Sequence, residues 1–199
     1  MMTKSEKTTK YILEKVAPIF NQKGYSATSM SNLTAATGLT KGAIYGNFKN
    51  KEELAIKAFH FSINQVLKGI SIHQNKNKSP LQKLYLITDF YKNYYDFSKK
   101  IGGCPILNIG VNEKNQNNKL HHEVMLIINK TQLNIAKLID QGKENGLINK
   151  NIDSINFARR LYSHIQGAVF MTYTMNDNNY LYEAIEEMNL IIKNELERL

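Results

Sequence analysis

Apolar side chains recur at helical spacing along almost the whole chain. Ile12, Val16, Ile19 and Phe20 form one such stripe between residues 8 and 23. Pro18 lies inside it and removes the hydrogen bond to the Glu14 carbonyl, so a kink or a helix in two pieces is expected there. Gly24 supplies the stop. Ser29 can cap a short helix to Thr37, with Leu33 and Ala36 facing inward, and Gly38 ends it. Thr40 caps a second short helix, residues 41–47, with Ile44 and the following Phe48 as its inward anchors. Asn50 opens a longer helix with Glu53 at its third position, a pair that resembles a capping box. That helix runs through Leu54, Ala58 and Phe61 to about Gln74.

The polar run HQNKNKSP, residues 73–80, reads as a linker. Residues 81–100 return to a helical pattern rich in aromatics, broken by Gly102-Gly103. Pro105 fits a first helical position with Cys104 as its N-cap. Residues 117–145 form a long amphipathic segment that ends at Gly146. Asp153 caps a helix to about Met175, and Asp177 or Asn178 opens a last one to the C-terminus. No alternating Val/Ile/Thr run bounded by turns predicts a strand. The pattern predicts an all-α protein of about nine helices. Its N-terminal three-helix helix-turn-helix domain takes residues 1–54, and a larger helical domain takes residues 55–199.

Charge changes the picture next. The chain has 199 residues and a net charge of +9. Residues 1–58 hold nine lysines against four acids, and no acid lies between Glu14 and Glu52. Lys15, Lys23, Lys41, Lys49 and Lys51 fall inside or beside that gap. From Asp177 onward the sign reverses, with six acids against Lys193 and Arg198. A head stripped of acid suits a polyanion. Lysines interrupt the N-terminal stretch MMTKSEKTTKYILEK, and no run is apolar enough for a membrane span. With a single cysteine, the chain can form no internal disulfide. A cytoplasmic location with no membrane partner is the expectation.

The stretch TGLTKGAIYGNFKNKEEL, residues 37–54, has little to bury and much to offer a groove. Gly42 permits close backbone approach, and the Ala43 methyl suits a thymine methyl. Lys41 can reach a phosphate or a guanine edge. The Tyr45 hydroxyl and the Asn47 amide can donate to phosphates. Lys51 opposes the dipole at its helix N-terminus, but a phosphate bound there would be attracted by both.

Residues 12–58 resemble the N-terminal domain of TetR-family transcriptional regulators. The resemblance rests on Phe20, Gly24-Tyr25, Ser29, Leu33, Ala36, the run Gly38 to Tyr45, Phe48 and Lys51-Glu52-Glu53-Leu54. Thr34 and Thr37 stand where that family usually has alanines in the helix packing, which would loosen that contact, and Gly46 lacks a side chain that often adds a backbone contact. The resemblance implies DNA contacts at Ser29, Thr40, Lys41, Gly42, Ala43, Tyr45, Asn47 and Lys51. It also implies a homodimer on a double-stranded DNA operator. A small-molecule ligand in the C-terminal domain would move the reading heads apart.

The helix from Asp153 carries an apolar band that includes Leu161, Ile165 and Ala168, with Gly167 beside it. A mid-helix glycine costs roughly 1 kcal/mol against alanine and suits close packing with another helix. With Ala184, Ile185 and Met188 on the last helix, the pattern suggests a four-helix interface across a two-fold axis. A ligand pocket in the family's usual place would draw on Phe61, Phe90, Tyr94, Cys104 and Asn108. The G-C-P-x-x-N run, residues 103–108, looks like one branch of the family, some of whose members sense electrophiles or oxidants through a nearby cysteine. A thiol at a helix N-terminus can become a better nucleophile.

No cofactor or metal is called for. His121 and His122 are adjacent on a helix and point apart, so they do not chelate well with Glu123. A cysteine enzyme using Cys104 with His121, His122 or His164 lacks an activating carboxylate and leaves the basic head unexplained. The expectation is a DNA-binding repressor, not an enzyme, released by a ligand or by modification of Cys104. The alternative is a ligand-independent architectural or adaptor protein.

Overall fold

The computed structural model describes residues 3–114 and 117–197. Ten α-helices follow one another: α1 Lys4–Ala27, α2 Met30–Thr37, α3 Lys41–Tyr45, α4 Lys51–Gln74, α5 Pro80–Lys92, α6 Tyr94–Lys99, α7 Pro105–Asn112, α8 Asn118–Glu144, α9 Ser154–Met175 and α10 Asn179–Ile191. A π-helical turn, Ile192–Leu196, ends the described chain, so an expected helix over 198–199 lies outside the described residues. Among the described residues no strand forms, and a lone bridge pairs Ile148 with Glu197. The all-helical expectation holds. The count of about nine becomes ten because the aromatic segment divides at Asn93, whose φ of −105° and ψ of 14° leave the helical region. Among the described residues no helix is long and apolar enough to cross a membrane.

Local chemistry accounts for most boundaries. The Ser29 hydroxyl accepts from the Asn32 amide at 3.2 Å while the Asn32 side chain accepts from the Ser29 amide at 2.9 Å, a reciprocal cap. The Asp153 carboxylate accepts from the Ile155 and Asn156 amides, both at 3.1 Å. Asn50 caps the Glu53 amide at 2.8 Å, but the Glu53 carboxylate reaches back to the Lys49 amide rather than to Asn50. In α1 the break expected at Pro18 is absent, the backbone staying helical through it, while the stop expected at Gly24 is there, with φ 77° and ψ 173°. Only a glycine reaches that conformation without strain.

The chain forms two compact units. One comprises residues 1–66 and 98–126, the other 67–97 and 127–199. In the first, Ile12, Val16 and Phe20 of α1 join Leu33, Ile44 and Phe48 in one buried core, with Leu54, Ala58 and Phe59 of α4. α7 packs on α1. The second unit packs α10 against α5 and α9 around Leu84, Ile87, Leu161, Ile165 and Ile185. The aromatic side chains expected to spare themselves for a pocket are core here. Phe90 meets His73, Tyr91 and Phe97 edge-on, each at 5.5 Å between centroids, and Tyr94 tilts against it at 5.9 Å. The Tyr85 hydroxyl donates to Glu197 at 2.7 Å, and Tyr95 donates to Asn176.

Candidate nucleic-acid interface

The N-terminal helices hold the expected contact residues on one short stretch of chain. The Thr40 hydroxyl accepts from the Ala43 amide at 3.1 Å and so fixes the start of α3. Ile44 and Phe48 are buried beneath, while Ser29, Thr40, Lys41, Gly42 and Ala43 are exposed. Tyr45, Asn47 and Lys51 are half-buried. A β-carbon on Gly42 would meet nothing closer than the Thr40 hydroxyl at 3.9 Å, so that glycine is not demanded by packing within the chain.

The acids nearest this stretch are already engaged. Glu52 pairs with Lys119 at 2.7 Å, and Glu53 pairs with Lys57 at 3.1 Å. The Glu53 carboxyl is held below its ordinary range, chiefly by the Lys49 amide and then by Lys57. Among the described residues no carboxylate lies in salt-bridge contact with Lys41, Lys49 or Lys51. The Lys41 ammonium lies 5.8 Å from the centroid of the Tyr45 ring, and that of Lys51 lies 4.3 Å from the Tyr25 centroid. Burial lowers the Lys51 pKa, and the charge of Glu113 acts against that shift.

Two expected roles change in detail. Asn47 donates to the Ala43 carbonyl at 3.0 Å and accepts from the Thr9 hydroxyl at 3.1 Å, so its amide first ties α1 to the end of α3. Thr37 does not loosen its helix: its hydroxyl donates to the Leu33 carbonyl at 2.8 Å, and its own carbonyl accepts from Tyr11 at 2.9 Å.

A cavity of about 310 Å³ opens in the second unit. Leu67, Ile70, Ile87, Ile135, Leu138 and Ile165 give it aliphatic walls, and Ser71, Gln74, Tyr91, Lys130, Thr131, Asn134 and Tyr162 bring polar groups. None of the five expected pocket residues lines it. Phe90 and Tyr94 belong to the aromatic cluster, and Phe61, Cys104 and Asn108 fall in the first unit. Cys104 is 1% exposed. It caps α7 through its backbone geometry, without a side-chain capping bond. Asn108 donates to the Asn21 and Gly102 carbonyls at 3.1 and 3.3 Å. Asn21 in turn donates to the carbonyls of Ile101 at 2.8 Å and Gly103 at 2.7 Å. The Gly-Cys-Pro motif thus seats a loop on α1. The sequence singles out neither Asn21 nor Glu113: Gly24 lies three residues from Asn21, and nothing local marks Glu113.

The expected interface residues also divide. Leu161, Ile165, Ile185 and Met188 are buried within the chain, with Ala168 at 7% exposure. They pack in the core between α9 and α10 of the chain itself. Gly167 is exposed and nothing lies within 4 Å of a β-carbon built there. With Ala184, Tyr180, His164, Glu183 and Glu187 it lines an open groove. Phe170 lies one turn on from Gly167 and is 49% exposed.

A family profile described as "Bacterial regulatory proteins, tetR family" matches residues 12–58. A second, "Tetracyclin repressor-like, C-terminal domain", matches residues 80–188. The Fatty acid metabolism regulator protein of Bacillus subtilis is 25% identical over 178 residues, 88% of this chain and 89% of its own. TetR regulators of solved structure from Cytophaga hutchinsonii and Chloroflexus aurantiacus are each 27% identical over the full length of both chains, with TM-scores of 0.91 and 0.93.

Proposed function

We propose that this chain, which belongs to the TetR family of bacterial DNA-binding transcriptional regulators, is a dimeric repressor released by a small molecule. The observation that carries the DNA-reading half is the exposed, acid-free start of α3. Thr40, Lys41, Gly42 and Ala43 are presented to solvent over a buried Ile44. Lys41 and Tyr45 contact the operator there, Ser29 and Asn47 flank them, and Lys51 binds phosphate at the start of α4. Phosphate contacts make such binding steeply salt-dependent.

The test is fluorescence anisotropy with a duplex recovered by the protein from a random library, against a scrambled duplex, across a salt series. Lys51→Ala is expected to weaken both alike and to lower the salt slope by about 1. A loss confined to the selected duplex contradicts a phosphate role.

The ligand half rests on the cavity of the second unit. At about 310 Å³, with aliphatic walls and a few polar groups, it suits a small amphipathic molecule. Tyr91, Tyr162 and Lys130 would receive the polar or anionic end. The kinship with a fatty acid metabolism regulator agrees with an apolar body. Binding there favours a conformation that DNA does not, and repression is lifted by population shift. Phe61, Phe90, Tyr94 and Asn108 are not among the residues that line the cavity.

Cys104 is the slower route to release. At 1% exposure its thiol meets a reagent only when the 101–104 loop opens. Its reaction with a disulfide reagent at pH 7 is expected to be at least tenfold slower than that of free cysteine. A rate above that of free cysteine would restore Cys104 as a direct sensor.

A further inference from the structure

In an unbroken α-helix the Tyr25 amide would donate to the Asn21 carbonyl, four residues back. The turn at Gly24 parts them, and both orphaned groups find partners in the same distant segment. The Asn21 carbonyl accepts from the Asn108 side chain on α7 at 3.1 Å. The Tyr25 amide donates to the carboxylate of Glu113, the residue that caps the C-terminus of α7, at 2.7 Å. One backbone hydrogen bond of α1 is thus replaced by two side-chain bonds from the two ends of α7.

Glu113 is held for this purpose. It is 1% exposed, its amide donates to the Ile109 carbonyl at 3.0 Å, and its carbonyl accepts from the Asn117 amide at 3.0 Å. A β-carbon on Gly24 would stand 3.1 Å from its Oε1, so the glycine also makes room for the carboxylate. Its other oxygen, Oε2, is buried with no hydrogen-bond partner. A buried carboxylate with one oxygen unsatisfied is costly, and an apolar or amide side chain would serve packing better. What it touches lies beside the candidate interface. The Tyr25 ring carries Lys51 on its face at 4.3 Å, and Tyr25 leads in three residues to Thr28 and the Ser29 cap of α2.

We propose that Glu113 is a positioning residue for DNA binding. Through the Tyr25 amide it sets the end of α1, and through the Tyr25 ring the place of Lys51. The docking of α7 thereby decides whether the reading helices are in register. This rests on the DNA-reading role proposed above for α3 and Lys51.

The experiment compares the wild-type protein, Glu113→Ala and Glu113→Gln. Each is tested against the duplex that the wild type selects from a random library and against a scrambled duplex, with melting followed in parallel. Glu113→Ala is expected to lose at least tenfold in preference for the selected duplex, with a melting temperature unchanged or higher. Glu113→Gln keeps an sp² oxygen for the Tyr25 amide and is expected to hold that preference within threefold of wild type. The proposal is overturned if Glu113→Ala keeps its preference, if Glu113→Gln loses as much as Glu113→Ala, or if the loss tracks a fall in melting temperature. If the wild type selects no sequence at all, the DNA-reading role fails first and the proposal falls with it.

Discussion

Gly102→Ala is expected to destabilise the first compact unit by about 3 kcal/mol or more, through two causes that add. Gly102 sits at φ +83°, a conformation that costs an alanine roughly 1–2 kcal/mol. A β-carbon there would also stand 2.3 Å from the Pro18 carbonyl oxygen, and the atom it meets is backbone within a helix. Neither side can yield cheaply, because two bonds from Asn21 pin the loop to α1, and Asn108 ties both the loop and α1 to α7. Thermal unfolding should show a fall of about 10 °C for a chain of this size. Gly38→Ala separates the causes. It shares a positive φ, +67°, but nothing lies within 4 Å, so only the conformational cost of about 1 kcal/mol should appear. Equal melting temperatures for the two variants would show that the loop moves away from α1 without penalty.

Gly167→Glu should convert the protein to a monomer at micromolar concentration while leaving each chain intact. Within one chain a β-carbon at this position meets no atom within 4 Å, and α9 gains up to about 1 kcal/mol of helix propensity. Against a second copy it brings a carboxylate into a groove already lined by Glu183 and Glu187. If the two-fold axis of the proposed dimer passes through that groove, each added charge is met by another. Sedimentation should report the mass of one chain. DNA affinity should fall by a factor of about 100 or more, because two linked heads gain from effective concentration and one does not. A variant that still sediments as a dimer would move the interface to another face.

The parts of the fold that were legible in the sequence are those whose chemistry is local. Ser29, Thr40, Asn50 and Asp153 each cap a helix within three residues of themselves, and an acid-free run needs no third dimension to be seen. Pro18 was a stronger local sign of a break than Gly24, yet the helix absorbs the proline and breaks at the glycine, where α7 supplies partners for the freed groups. Asn93 divides the aromatic segment without glycine or proline to announce it. Asn108 stood out in a motif, but its partner Asn21 is 87 residues away, and Glu113 and Tyr25 are separated by 88. Nothing in the spacing distinguishes a side chain that seats a loop from one that faces a ligand. The buried face of α9 carries the same ambiguity: an apolar stripe looks the same whether it meets α10 of its own chain or a second copy.

The break in α1 also gives the molecule a built-in clock. An amide bonded within a helix exchanges its hydrogen when that helix frays, but the Tyr25 amide is bonded to Glu113. Its exchange with solvent deuterium therefore times the undocking of α7, while the amides of Val16 and Phe20 on the same helix time the opening of the core. One residue in a peptide map thus reports the docking of α7 without DNA or ligand present.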